Sequence, residues 1–291
     1  MDQVLDIFSG AGFGSQGFKN HFEVVEAIDI SKDACLSFKM NHRETKVTNQ
    51  DIRNISFCHG DYNGIVGLLG TPPCQDYSEL NQKRDNNSER ANLVFEYIRV
   101  LTEVKPQFAL FENVYSIPKS VKIRLVTEIE NLGYNVVSKV CNAYDYGSVQ
   151  IRKRWIITAH KNKHVFPKKT IFRRKSKEIL TNEVSEIKPR KSTLEKIQNL
   201  VPGKWVALEN QSYKVYFVVD PEKPLPAVVN PTKLRYIKPD KSGYLSLNEL
   251  IKAFGVNDFK LIGNVTSKGQ QIANGFPADF AEKFALEFIK H

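Results

Sequence analysis

A chain of 291 residues with 41% hydrophobic side chains is long enough to bury a sizeable core, as one large domain or as a large domain carrying a smaller one. No apolar run approaches the length of a membrane span, and the opening MDQVLDIFSGAG enters a strand-like run at once, leaving no room for a signal or transit peptide; a cytoplasmic address with no membrane partner is the expectation. The formal charge of +10 is uneven: residues 1–160 carry 18 basic and 19 acidic side chains, residues 161–204 carry 13 and 4, and residues 205–291 carry 11 and 9, a distribution suited to holding a polyanion at one edge, or to a plain solvated face.

In chain order, VLDIF predicts a strand that runs into a glycine-rich turn (Gly10, Gly12, Gly14) ahead of a helix, where a doubly wound sheet binds a nucleotide-like ligand. The glycine spacing is not that of a dinucleotide fingerprint or a phosphate loop, and it also suits an ordinary tight turn. A second strand ends at Asp29 in EAIDI, and Asp51 follows in NQDIRNI. Carboxylates at these strand ends can take ribose hydroxyls and an adenine amino group, with Ile30 and Ile52 as apolar walls and no phosphate-binding cation. The ligand implied is an adenosine without phosphates, and S-adenosylmethionine fits.

The runs GIVGLLG, FALFENV and RWIITA predict further strands, and ERANLVFEYIRVLTEV and KSVKIRLVTEIENLGY predict amphipathic helices. Strands alternating with helices imply an α/β fold built on a doubly wound, mostly parallel sheet over residues 1–160. Residues 161–243, rich in Lys and Pro with β-like runs such as KVYFVV, read as a second, smaller lobe. Residues 244–291 return to two helical patterns, LSLNELIKAFG and ADFAEKFALEFIK, expected to pack back on the first lobe. Of four cysteines, Cys35, Cys58 and Cys141 read as buried small hydrophobes; no CxxC pair, disulfide-like spacing or metal-like histidine spacing occurs, so no metal is implied. Cys74 differs, because Pro72 and Pro73 precede it. Their fixed φ and missing N–H donors can hold a loop that presents one sulfur in one geometry.

The motifs DIFSGAGFG (6–14), EAIDI (26–30), DI (51–52), GTPPCQDYS (70–78), ENV (112–114), QIRKR (150–154) and QIANG (271–275) stand in the order of the cytosine-C5 methyltransferases, and over nearly its whole length the chain resembles that family. The resemblance implies a Rossmann-like methyltransferase body, a target-recognition lobe at 161–243, S-adenosylmethionine as cofactor and double-stranded DNA as substrate. It implies a restriction-modification setting, a monomer, and a cognate restriction endonuclease encoded nearby. Cys74 would add as a thiolate to C6 of a flipped-out cytosine, making C5 nucleophilic enough to take the methyl group. Glu112 would bond N3 and the exocyclic amine; Arg154, with Arg152 beside it, would hold O2 and steady the cysteine loop. As residues alone, Glu112 also reads as a strand-end cap and both arginines as surface charges.

The cofactor would lie against Asp6, Phe8, Gly10, Ala11, Gly12, Phe13, Gly14, Asp29, Ile30, Asp51, Ile52, Pro72, Leu93, Asn274 and Gly275, although Asn274 also suits a simple turn. Gln75, Ser78, Lys168, Lys169, Arg173 and Arg174 would contact DNA. One departure is GYLSLNELIKAFGV, which keeps Leu245, Ser246 and Glu249 of the family pattern but has Gly243 where an arginine is expected, so a differently braced lobe is anticipated. The rival readings are a tRNA cytosine-C5 methyltransferase and a catalytically silent DNA-binding relative.

Overall fold

The computed structural model describes residues 1–57, 60–73, 89–207 and 215–291, and of residues 89–92 only the backbone. The first part of the chain forms β1 (Gln3–Ile7), α1 (Phe13–Phe18), β2 (Glu23–Asp29), α2 (Lys32–Asn41), β3 (Lys46–Asn49), β4 (Ile65–Gly70), α3 (Glu89–Val104), β5 (Phe108–Val114), α4 (Lys119–Asn131), β6 (Asn135–Asn142), β7 (Gln150–Ile151) and β8 (Lys153–His160). The remainder forms α5 (Lys191–Ile197), β9 (Trp205–Ala207), β10 (Val215–Val218), β11 (Leu225–Pro226), β12 (Leu234–Ile237), α6 (Leu247–Lys252), α7 (Val265–Asn274) and α8 (Ala278–Phe288).

Seven strands make one sheet in the order β3-β2-β1-β4-β5-β8-β6. From β3 to β5 all neighbours are parallel, and β8 runs antiparallel to both β5 and β6. The α/β, mostly parallel sheet expected from the sequence is therefore present. Near-continuous apolar runs suit strands covered on both faces, and alternate residues supply the two covers. Leu5, Leu68, Ala109 and Phe111 face a layer containing Tyr97, Val100 and Leu101 of α3 and Leu125 and Ile129 of α4. Val4, Leu69, Phe108 and Leu110 face Phe18 of α1 and Phe280, Phe284 and Phe288 of α8. Phe280 and Phe284 are wholly buried, each contributing about 2 to 3 kcal/mol of apolar burial. At Gly17 a methyl group would overlap the Ala278 carbonyl, so glycine is what lets α1 and α8 touch.

Strands β12, β10 and β9 form a small sheet in that order, parallel between β10 and β12 and antiparallel between β10 and β9, while β11 pairs with β7. One face of the small sheet packs on Ile197 of α5, and Phe217 and Tyr236 from the other share a core with Leu250 and Ile251 of α6, Ile272 of α7 and Phe13 of α1. That shared core joins the two sheets. Glu249, wholly buried, accepts from the backbone N–H groups of Thr181 and Ser246 at 2.6 and 2.7 Å and faces Lys238 Nζ at 3.7 Å, while open space surrounds Gly243.

Between the two C-terminal helices read from the sequence lies a third, α7. Its sequence, VTSKGQQIAN, is short and mostly polar; the Asn264 side chain caps it by accepting from Ser267 N at 2.9 Å.

Candidate active site

The chain runs outward from β1 through β2 and β3, then returns to β4 on the other side of β1. At that reversal the loops after β1 and β4 part, and a crevice opens at the carboxyl ends of the strands. The loop after β1 has three residues in the left-handed region, Phe8 (φ 57), Gly10 (φ 55) and Gly12 (φ 91). Phe8 is a bulky residue in a conformation it rarely adopts, held there by its carbonyl accepting from Thr71 Oγ1 at 2.9 Å. Gly12 is enforced sterically, since a Cβ would come within 2.8 Å of the Phe38 and His42 rings. His42 Nε2 donates to the Gly12 carbonyl at 3.0 Å, and burial pushes this imidazole down to about 4, so it is neutral.

Asp29, at the end of β2, accepts from Gly10 N at 2.9 Å and Ser31 N at 2.8 Å, which clamps the loop to the neighbouring strand. Burial holds its carboxyl above the usual range against those two bonds. Asp6 is buried and accepts from Ser15 Oγ; burial pushes it up to about 7, the Ser15 bond opposing and the Asp29 charge adding. A native pKa raised from 3.8 makes the folded state lose stability as pH rises toward 7 and stay level above it. Asp6→Asn keeps an acceptor for Ser15 and removes the charge. It is expected to stabilise the chain by about 4 kcal/mol at pH 8, the gain shrinking toward zero at about pH 4, as read from urea midpoints. A gain that does not change with pH would show that Asp6 does not titrate in this way.

These loops enclose a cavity of about 880 Å³. It brings together Asp6, Phe8, Gly10, Ala11, Phe13, Gly14, Asp29, Ile30, Asp51, Ile52, Pro72, Leu93, Asn274 and Gly275 with Glu112, Arg152 and Arg154; Gly12 supports the loop from behind. Asp51 lies under a cation that the sequence reading did not anticipate, Arg53, whose Nη2 meets Asp51 Oδ2 at 2.7 Å and keeps that carboxyl below its usual range. The fourth wall is α7, which lines the cavity with Thr266, Ser267, Gln270 and Gln271. Sequence reasoning missed all four. Gln271 donates from Nε2 to the Ile262 carbonyl at 2.8 Å, and its buried Oε1 has no partner among the described residues. Paired carboxylates, apolar walls and a cation already engaged by Asp51 suit an adenosine ligand that carries no phosphate.

Glu112 and Arg154 come together because β8 runs antiparallel to β5, with Val114 opposite Arg154. Arg154 Nε meets Glu112 Oε1 at 2.7 Å, with both side chains largely buried. Burial raises the Glu112 pKa against the pull of Arg154 and Arg152. Arg152 also lines the cavity and reaches across to other elements. Buried, it donates to the carbonyls of Val228 at 2.9 Å and Ala273 at 2.7 Å and lies 5.4 Å from the Phe254 ring centroid, tying the segment before β12 to α7. Asn113, the middle residue of ENV, donates to the Pro72 carbonyl at 3.0 Å and fixes the double-proline turn to β5. That role was not read from the sequence. Cys74, Gln75 and Ser78 lie outside the described residues, as does Cys58.

Residues 3–218 match the model of the C-5 cytosine-specific DNA methylases. The chain belongs to that family. Among curated relatives, the type II methyltransferase M.FnuDI of Fusobacterium nucleatum is 37% identical over 158 residues, 52% of this chain and 45% of that protein. M.MthTI of Methanothermobacter thermautotrophicus is 32% identical over 72% of this chain and 64% of its own, and M.HgiDI of Herpetosiphon aurantiacus is 24% identical over 96% and 91%. The match thus spans about half the length of the first of them. Among solved structures, a prophage-encoded E. coli protein described as a DNA modification methyltransferase superposes with a TM-score of 0.83 at 20% identity over 100% of this chain and 99% of its own. S. pombe Dnmt2 gives 0.76 at 16% over 100% and 99%. At these identities the likeness is one of fold.

The four cations expected to meet DNA are mostly engaged by the protein itself. Lys169 Nζ lies 2.9 Å and Arg173 Nη2 3.5 Å from Asp145, and Arg174 bridges Glu178 at 2.8 Å and Asp279 at 3.3 Å. Lys168 has no acidic partner among the described residues. None of the four borders the cavity. Among the described residues, no helix is long and apolar enough to cross a membrane, and no group of three or more His, Cys, Asp or Glu side chains could hold a metal ion.

Proposed function

We propose that the chain is a DNA (cytosine-5) methyltransferase that uses S-adenosylmethionine and works on a cytosine flipped out of duplex DNA through a covalent bond from Cys74 to C6. The observation that carries this reading is the Glu112–Arg154 pair in the wall of a carboxylate-lined cavity, beside a double-proline segment held by Asn113 and Thr71. Asp29 and Asp51 would hold the adenosine hydroxyl and amine groups, with Ile30 and Ile52 against the ring. When bound, the cofactor supplies an electrophilic methyl group. A protonated Glu112 donates to N3 of the base and accepts from its exocyclic amine, drawing electron density from C6 as the thiolate attacks; after methylation H5 leaves as a proton and the thiolate is eliminated. Arg154 orients Glu112, and Arg152 braces the junction behind them.

Residues 1–160 and 244–291 would form the catalytic body, and residues 161–243 the target-recognition lobe. The test is transfer of labelled methyl groups to duplex DNA, to tRNA and to no nucleic acid. Label on cytosine C5 of duplex DNA is expected. Label on tRNA alone would make the chain an RNA enzyme, and label on neither would leave it a scaffold.

The internal pairing of the basic segment alters what salt should do. A cation already held by Asp145 or Glu178 exchanges one anion for another on meeting a phosphate and releases little counterion. Neutralising Lys168, Lys169, Arg173 and Arg174 together is expected to lower the log–log salt slope of duplex binding by about 0.9, one phosphate contact, and not by the roughly 3.6 that four free cations would give. The larger drop would mean that DNA displaces the internal carboxylates.

A further inference from the structure

A relay of side-chain amides runs from the small-sheet region to the cavity. The backbone N–H and hydroxyl of Thr232 both donate to Asn230 Oδ1, at 3.0 and 2.7 Å. Asn230 Nδ2 then donates to Gln270 Oε1 at 3.1 Å, and Gln270 Nε2 donates to Asn274 Oδ1 at 2.8 Å. A backbone N–H can only donate, so it settles which end of the Asn230 amide faces Thr232, and each amide settles the next. The last member, Asn274, is an exposed residue bordering the cavity; its Oδ1 accepts from Gln270, and its Nδ2 has no hydrogen-bond partner among the described residues.

Two further observations show that the relay is built in. Asn230 is 7% exposed, so its amide has no ready exchange with water. Within α7, a Cβ at Gly269 would stand 2.8 Å from Asn230 Oδ1 and 3.1 Å from Pro231 Cδ. A glycine inside a helix costs about 1 kcal/mol relative to alanine. Here it lets the turn at 230–232 approach α7 closely enough for Asn230 to reach Gln270.

We propose that Asn230 and Gln270 are positioning residues that lock Asn274 as a hydrogen-bond donor toward the cavity, so that the cavity receives the carboxylate of its ligand there and the 230–232 turn is coupled to cofactor binding. The proposal rests on the reading of the cavity as the S-adenosylmethionine site. Its distinctive content is polarity. If the relay is reversed from Asn230, outside the cavity lining, Asn274 should turn its oxygen to the ligand and repel a carboxylate, while the nucleoside end is left alone.

Asn230→Asp makes that reversal. Thr232 still donates to residue 230, but the second carboxylate oxygen now takes Gln270 Nε2, and Gln270 Oε1 in turn takes Asn274 Nδ2. Gln270→Met breaks the relay without reversing it. Calorimetry on the full chain would compare S-adenosylhomocysteine, which has the carboxylate, with 5′-methylthioadenosine, which lacks the amino-acid portion. Asn230→Asp is expected to weaken S-adenosylhomocysteine about tenfold and Gln270→Met about threefold, with 5′-methylthioadenosine within twofold of the parent in both. Equal weakening of both ligands, or an unchanged ratio between them, overturns the proposal. If Asn230→Asp does not fold, Gln270→Met, at a half-buried position, still decides whether the relay favours the carboxylate-bearing ligand, since an unchanged ratio between the two ligands in that variant overturns the proposal. A parent chain that binds neither ligand overturns the cofactor reading itself, and the relay's role with it.

Discussion

Cys74→Ser is expected to lower methyl transfer by on the order of 10⁴-fold or more while leaving the affinity for S-adenosylhomocysteine within about twofold of the parent. A hydroxyl at neutral pH offers almost no alkoxide to add to C6, and without that addition C5 is too poor a nucleophile to react. The structural basis lies in the approach to the residue. Thr71 N donates to the Ile7 carbonyl at 3.4 Å, Thr71 Oγ1 to Phe8 O, and Asn113 to Pro72 O, so the chain reaches Pro73 already attached to both β1 and β5. Duplex DNA with 5-fluorocytosine at its target should become covalently trapped on the parent, because fluorine cannot leave as a proton. Turnover by the serine variant within tenfold of the parent, or an adduct mapped to Cys58 or Cys141, would reassign the nucleophile.

Glu112→Gln is expected to cost about 10² to 10³-fold in turnover with little change in duplex binding. The amide reproduces the hydrogen-bond pattern, with its N–H toward N3 and its oxygen toward the exocyclic amine, but it has no proton to transfer. The pH profile separates this from a loss of structure. Burial holds Glu112 above the ordinary carboxylate range, and its acid form is the useful one, so parental turnover should fall as pH rises through that raised pKa. The fall should vanish in the glutamine variant. A variant that keeps the same limb would show that some other group titrates.

The sequence disclosed features whose cause is local. Short, near-continuous apolar runs announced β1, β4, β5 and β8; Gly10 and Gly12 marked a turn that needs left-handed backbone; Asp29 stood at a strand end, where loop amides could reach it. Features set by distant partners were hidden. An apolar run carries no direction, so nothing in RWIITA says that β8 is antiparallel, although that reversal sets Arg154 beside Glu112. The partners of Arg152 are backbone carbonyls 76 and 121 residues away, which no side-chain pattern encodes. Net charge likewise counted Lys169 and Arg173 as free cations, because the counter-charge of Asp145 becomes adjacent only when the end of β6 meets the segment after β8.

The contact between α1 and α8 bears on how the protein is made. Once residues 1–160 have left the ribosome, every strand of the large sheet has been synthesised, and α3 and α4 can cover one of its faces. Val4, Phe22, Leu69, Phe108, Leu110 and Ile156 line the other face, whose cover includes Phe276, Phe280, Phe284 and Phe288. At usual elongation rates those phenylalanines follow roughly ten seconds later. For that interval the nascent chain carries an incompletely covered apolar surface into a crowded cell, so the yield of folded protein depends on translation speed and chaperone capture as well as on the stability of the finished fold.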